Sequence, residues 1–168
     1  MRKPYKLRRW RLGLGPGATY FFTCARPGRE LGKHVSTVHD AVVDTWARGL
    51  PQPRTAIVSL LGRKPDGLSE YSFYSFCGGS DGPTERRARP TLQEWLDRRH
   101  GDLQIIVREH PTRDFFNIPQ ETLAAIKMDL DLLFAQGRTV VLVDSGGETR
   151  SGTVCRFLGA TEDSSSAP

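Results

Sequence analysis

Cysteine is scarce in this chain, and its placement suits neither cross-linking nor metal binding. Three cysteines, Cys24, Cys77 and Cys155, are spread over 168 residues. That spacing supplies neither a disulfide framework nor a zinc-ligand pattern, so a reducing, cytoplasmic setting is expected. The four histidines, His34, His39, His100 and His110, also fall at no ligand spacing, and no metal or cofactor is expected. Long apolar runs are missing too. The basic start is followed by LGLGPGATYFF, which one Pro and three Gly interrupt. This is a poor signal-peptide core, and no segment approaches the length of a membrane span.

Acidic residues are absent from the beginning of the chain. Arg2, Lys3, Lys6, Arg8, Arg9 and Arg11 all precede the first carboxylate, while the whole chain carries +5, so the remainder is close to neutral. Such a basic arm fits an anionic partner, whether nucleic acid, an anionic membrane or a phosphoprotein, but a solvated tail is the reading preferred. The Gly13, Gly15 and Gly17 run has no apolar strand before it and no capped helix after it, which makes it a turn rather than a nucleotide loop.

What is present describes one globular domain. A chain of this length with 38% hydrophobic and 26% charged residues can bury a real core. We divide it into a basic arm at 1–18, an α/β domain at 19–160 and a polar tail at 161–168. Apolar periodicity predicts strands at Thr19–Cys24, Thr55–Leu61, Glu70–Cys77, Leu103–Glu109 and Thr139–Asp144. It predicts helices at Thr37–Gly49, Thr91–His100 and Gln120–Gln136, with a last helix beginning at Ser151. In the third of these, Asn117 and Gln120 resemble a capping box, Leu123, Ile126, Leu130, Leu133 and Phe134 form an apolar face, and Gly137 stops the run. The alternation implies an α/β fold with a mainly parallel central sheet flanked by helices. Gly78–Pro90 is a turn-rich basic loop, and the alternating aromatics of EYSFYSF suit core packing better than base stacking.

The most informative stretch is TVVLVDSGGETRSGT, Thr139 to Thr153. A β-branched strand feeds a Gly-rich turn, and the turn delivers Arg150 at the start of a helix. Backbone N–H groups in such a turn converge on an anion, and the helix dipole favours negative charge there.

This stretch resembles the phosphate loop of cysteine-based protein tyrosine and dual-specificity phosphatases: a His-Cys pair, two residues, Gly, two residues, Arg, Ser/Thr, Gly. Gly147, Arg150, Ser151 and Gly152 match that pattern, but the nucleophile position holds Asp144 and the preceding position Val143. The family's general-acid Asp lies some thirty residues upstream, and Asp114 in HPTRDF precedes Asp144 by 30 positions. The resemblance extends over Tyr20–Gly159, more loosely in its earlier part, where ARPG occupies Ala25 to Gly28. The family continues through several helices, whereas only 18 residues follow Arg150, which implies a C-terminally shortened version.

The resemblance implies specific roles. Backbone groups of Ser145, Gly146, Gly147, Glu148, Thr149 and Arg150 would surround a phosphate, and Arg150 would grip two of its oxygens. Ser151 would steady the nucleophile and Asp114 would protonate the leaving oxygen. The ligand implied is a phosphorylated protein or another phosphomonoester. With Asp144 in place of the thiolate, the expectation is a catalytically impaired protein that binds a phosphorylated or acidic partner. The alternative is an active phosphatase, using Asp144 as nucleophile or carrying Cys there in an intact parent. A third reading, the first phosphate loop of a sugar-kinase or actin-like ATPase, is opposed by the motif's position near the end of the chain.

Overall fold

The computed structural model describes residues 2–31, 40–62, 91–113 and 117–164. The expected strand at Glu70–Cys77 and the basic loop at Gly78–Pro90 lie outside the described residues. Among those described, six strands form one sheet: β1 (Arg8–Leu12), β2 (Thr19–Ala25), β3 (Thr55–Ser59), β4 (Ile106–Glu109), β5 (Thr139–Asp144) and β6 (Thr161–Glu162). Four helices accompany them: α1 (Asp40–Gly49), α2 (Leu92–His100), α3 (Gln120–Ala135) and α4 (Thr149–Leu158).

The spatial order is β4-β3-β5-β2-β1-β6. The first four strands are parallel neighbours, while β1 runs antiparallel to both β2 and β6. The α/β expectation is therefore met by a mixed sheet whose central part is parallel.

The period-2 alternation of the central strands decides what each face buries. Val141 and Val143 of β5 and Ile57 of β3 join Val43, Trp46 and Ala47 of α1 and Leu92, Trp95 and Leu96 of α2 in one core. Val140 and Leu142, with Ala56 and Val58, meet Leu123, Ile126, Leu130 and Leu133 of α3 and Val154 and Cys155 of α4 in the other. Each large apolar side chain buried this way stabilises by roughly 1.5–3 kcal/mol. Because both faces are covered, β5 reads as a continuous apolar run.

Local signals set the helix ends, with one correction. The N-cap of α3 is Pro119, without a side-chain cap bond, and its carbonyl accepts from Leu123 N at 3.0 Å. The capping box expected from Asn117 and Gln120 is thus not formed, because the N-cap position falls on Pro119, two residues after Asn117. A reciprocal box forms instead at α2. Glu94 N donates to Thr91 Oγ1 at 3.2 Å, and Thr91 N donates to Glu94 Oε2 at 2.8 Å. Gly137, at φ 68°, ends α3 as expected.

Part of the basic N-terminal segment is built into the sheet. Trp10 and Leu12 of β1 pack against the α3/α4 core, alternating with Arg9 and Arg11, and Arg9 lies over the Tyr20 ring at 4.1 Å. Before β1, Tyr5 O accepts from Ala25 N at 3.0 Å, at the end of β2. This segment is therefore held beside the C-terminal ends of the parallel strands rather than trailing as a detached arm. At the other end, Thr161–Glu162 of the expected polar tail pairs with β1.

Candidate functional site

The C-terminal ends of the parallel strands converge on the turn between β5 and α4. Strand β5 places Asp144 at its last position, 1% exposed. Residues 145–148 form the turn, and α4 begins at Thr149. Gly147 is required here by shape. Its φ is +77°, and a Cβ would sit 2.6 Å from the backbone nitrogen of Ala25, so only glycine lets the turn close against β2. Gly152 faces no such limit: a Cβ there would meet only the tip of Arg156, at 3.5 Å.

Asp144 occupies the interior of its own turn. One carboxylate oxygen, Oδ1, accepts from Gly147 N, and Oδ2 accepts from Ser151 N at 2.8 Å. The residue thereby satisfies one N–H of the first turn of α4, a helix whose N-cap residue, Glu148, makes no side-chain cap bond. Its own carbonyl accepts from Arg26 N at 2.9 Å. The Ser151 hydroxyl is buried and, among the described residues, finds no hydrogen-bond partner.

Arg150 is 3% exposed, and its Nη1 donates to the carbonyls of Leu60 at 2.9 Å and Thr112 at 3.1 Å. Leu60 O also accepts from Thr112 Oγ1 at 2.6 Å. The guanidinium thus joins the end of β3 to the segment leading toward Asp114. Asp114 itself lies outside the described residues. The neighbouring His110 Nε2 sits 2.6 Å from Asp129 Oδ2, which fastens the start of this segment to α3.

The remaining turn residues grade from half-buried to exposed. Ser145 and Gly146 are half-buried, while Glu148 and Thr149 are exposed. Glu148 is paired with Lys6 Nζ at 2.5 Å and Arg8 Nη2 at 2.7 Å. A hydrogen bond from Lys6, followed by the charges of Lys6 and Arg8, holds its carboxyl below the ordinary value. Sequence reading missed these partners, although the alternation of Trp10 and Leu12 with arginines was the available signal for β1. It also missed Arg29, whose Nη2 lies 3.9 Å from where a Cβ of Gly146 would be.

Neither described cysteine can act as a thiolate nucleophile here. Cys24 and Cys155 are free and fully buried. Burial, then the charge of Asp144, pushes the Cys24 thiol far up. Burial is also the leading cause that pushes Cys155 up to about 12. Among the described residues no group of three His, Cys, Asp or Glu could hold a metal, and no helix is long and apolar enough to cross a membrane.

This arrangement of sheet, turn and helix is that of protein tyrosine phosphatases. Kinase associated phosphatase, in a structure with its catalytic-site cysteine replaced by serine, matches with a TM-score of 0.53 at 17% identity, over 94% of this chain and 74% of that one. Tk-PTP, in a Gly-to-Ala mutant form, matches with a TM-score of 0.47 at 19% identity, over 88% and 69%. No family model matches the sequence. No curated protein matches it either. The fold is phosphatase-like.

Proposed function

We propose that this chain is a catalytically impaired relative of the protein tyrosine and dual-specificity phosphatases that binds a phosphorylated or acidic partner through the β5–α4 turn. The observation that carries this reading is the state of Asp144. A phosphatase of this kind needs a nucleophile aimed at phosphorus, with the turn's N–H groups left for phosphate oxygens. Here both carboxylate oxygens accept N–H groups of the turn and helix, from Gly147 and Ser151. Such bonds spend the donors a phosphate would use and lower the reactivity of the carboxylate. They argue against Asp144 as a working nucleophile.

Three other features of the turn support the binding half of this reading. Arg150 is buried at the base of the turn, Gly147 fixes its curvature, and α4 directs its N-terminus toward it. A partner's anionic group would compete with Asp144 for the same donors. The direct test is hydrolysis of an aryl phosphate at about pH 6, where a general acid and a base are both usable. Turnover no greater than that of Arg150→Ala is expected. Turnover clearly above that control would make Asp144 a nucleophile and overturn the reading.

A further inference from the structure

The positive rim of the turn has a feature that binding a single phosphate leaves unused. Arg29 lies on the connection after β2, half-buried, with its Nη2 3.9 Å from the Cβ position of Gly146. Its backbone N–H donates to Arg26 O at 3.3 Å. The nearby cations of the rim are matched by carboxylates: Lys6 by Glu148, and Arg8 by Glu148 and Glu162. Among the described residues no carboxylate pairs with Arg29, so its guanidinium stands beside the turn uncompensated. A second observation points to a ligand at the same turn. Among the described residues the hydroxyl of Ser151, 1% exposed, is without a partner, and a buried hydroxyl left so is costly.

We infer that Arg29 is a specificity-determining residue that reads a second anionic group, so that the preferred ligand is a phosphomonoester bearing another phosphate or carboxylate next to its phosphoryl group. The inference rests on the anion-binding reading of the turn. Gly146 is at the half-buried mouth and Arg150 at the buried base, so Arg29 meets the part of a ligand that extends outward. A guanidinium there offers a two-pronged donor to a planar or tetrahedral anion, which an ammonium cannot match.

Calorimetry with inorganic phosphate and with pyrophosphate tests this, on the full parent chain and on Asp144→Ser. Pyrophosphate should bind tighter than phosphate by about tenfold, the worth of one charge-assisted contact. Arg29→Ala should remove most of that ratio, and Arg29→Lys should keep part of it. Lys127→Ala, which deletes an exposed charge on α3, should leave it unchanged. Phosphate binding without a pyrophosphate preference, or a preference that survives Arg29→Ala or falls equally in Lys127→Ala, overturns the role of Arg29 alone. Binding of neither anion by either chain overturns the anion-site reading and this inference with it. Should Arg29→Ala fail to fold, an Arg29→Lys ratio equal to that of the parent overturns the role of Arg29.

Discussion

The Arg150 guanidinium donates to the backbone carbonyl of Thr112 at 3.1 Å, which ties the segment approaching Asp114 to the turn that follows β5. Leu60 O is the shared acceptor, receiving both Arg150 Nη1 at 2.9 Å and the Thr112 hydroxyl at 2.6 Å. Thr112→Val keeps the shape and removes the hydroxyl. We expect a loss of about 1 kcal/mol in urea unfolding, the usual net worth of one buried hydrogen bond. A change within error would mean that the hydroxyl contributes nothing to joining these segments.

Replacing Asp144 separates stability from binding. Asp144→Ser deprives Gly147 N and Ser151 N of their carboxylate acceptor and should cost roughly 1–3 kcal/mol without ligand. The same change opens these donors to an oxyanion. Phosphate, sulfate or vanadate should then raise the melting temperature of the variant more than that of the parent. Equal shifts in the two chains, with the fold intact, would show that Asp144 does not occupy the anion site.

Two glycines of the motif should respond in opposite ways. Gly147→Ala forces a Cβ toward the backbone of Ala25 at 2.6 Å in a φ +77° conformation, and a loss of about 2 kcal/mol or more is expected. Gly152→Ala lies within α4 with room for a methyl group. Alanine there should stabilise by up to about 1 kcal/mol through helix propensity. Similar effects at the two positions would contradict the packing described between the turn and β2.

The junction of α1 and α2 provides a pH test. Asp44 accepts from Arg99 through two nitrogens, at 2.6 and 3.1 Å, and lies 2.7 Å from His100 Nε2. The Arg99 hydrogen bond above all, then that of His100, holds its carboxyl below the ordinary carboxylate value. A depressed folded value means stability present above the unfolded value of about 4 and lost as pH falls through the folded value. Asp44→Asn should therefore cost about 1 kcal/mol near neutral pH. The difference from the parent should shrink on acidification below the unfolded value. A difference independent of pH would rule out this ion pair as its source.

Much of the architecture was legible because burial leaves a periodic trace. The apolar run Val140–Val143 reads as a buried strand, and the spacing of Leu123, Ile126, Leu130 and Leu133 reads as one face of a helix, and each is buried in the sheet's core as such. The turn after β5 was legible because Gly147 and Arg150 sit at the spacing of the phosphatase loop that the sequence resembles. The start of α3 at Gln120 was read correctly but its cap was not, because the N-cap position falls on Pro119, which has no side-chain acceptor, rather than on Asn117. Arg8–Leu12 was hidden because a strand at the margin of a sheet buries only part of one face, and its arginines dominate the composition.

By itself the sequence determined the alternating elements, the parallel centre of the sheet and the replacement of a thiol by a carboxylate at the end of β5. These follow from local periodicity and residue identity. The tertiary structure alone decided where the polar groups at that turn found their partners. Asp144 turned its carboxylate onto Gly147 and Ser151, Arg150 reached the carbonyls of Leu60 and Thr112, and the N-terminal lysine and arginine closed on Glu148. Those choices depend on distances between segments as far apart in sequence as Lys6 and Glu148, 148 − 6 = 142 positions. They are set when the order of strands brings the segments to one edge of the sheet, and no local pattern records that order.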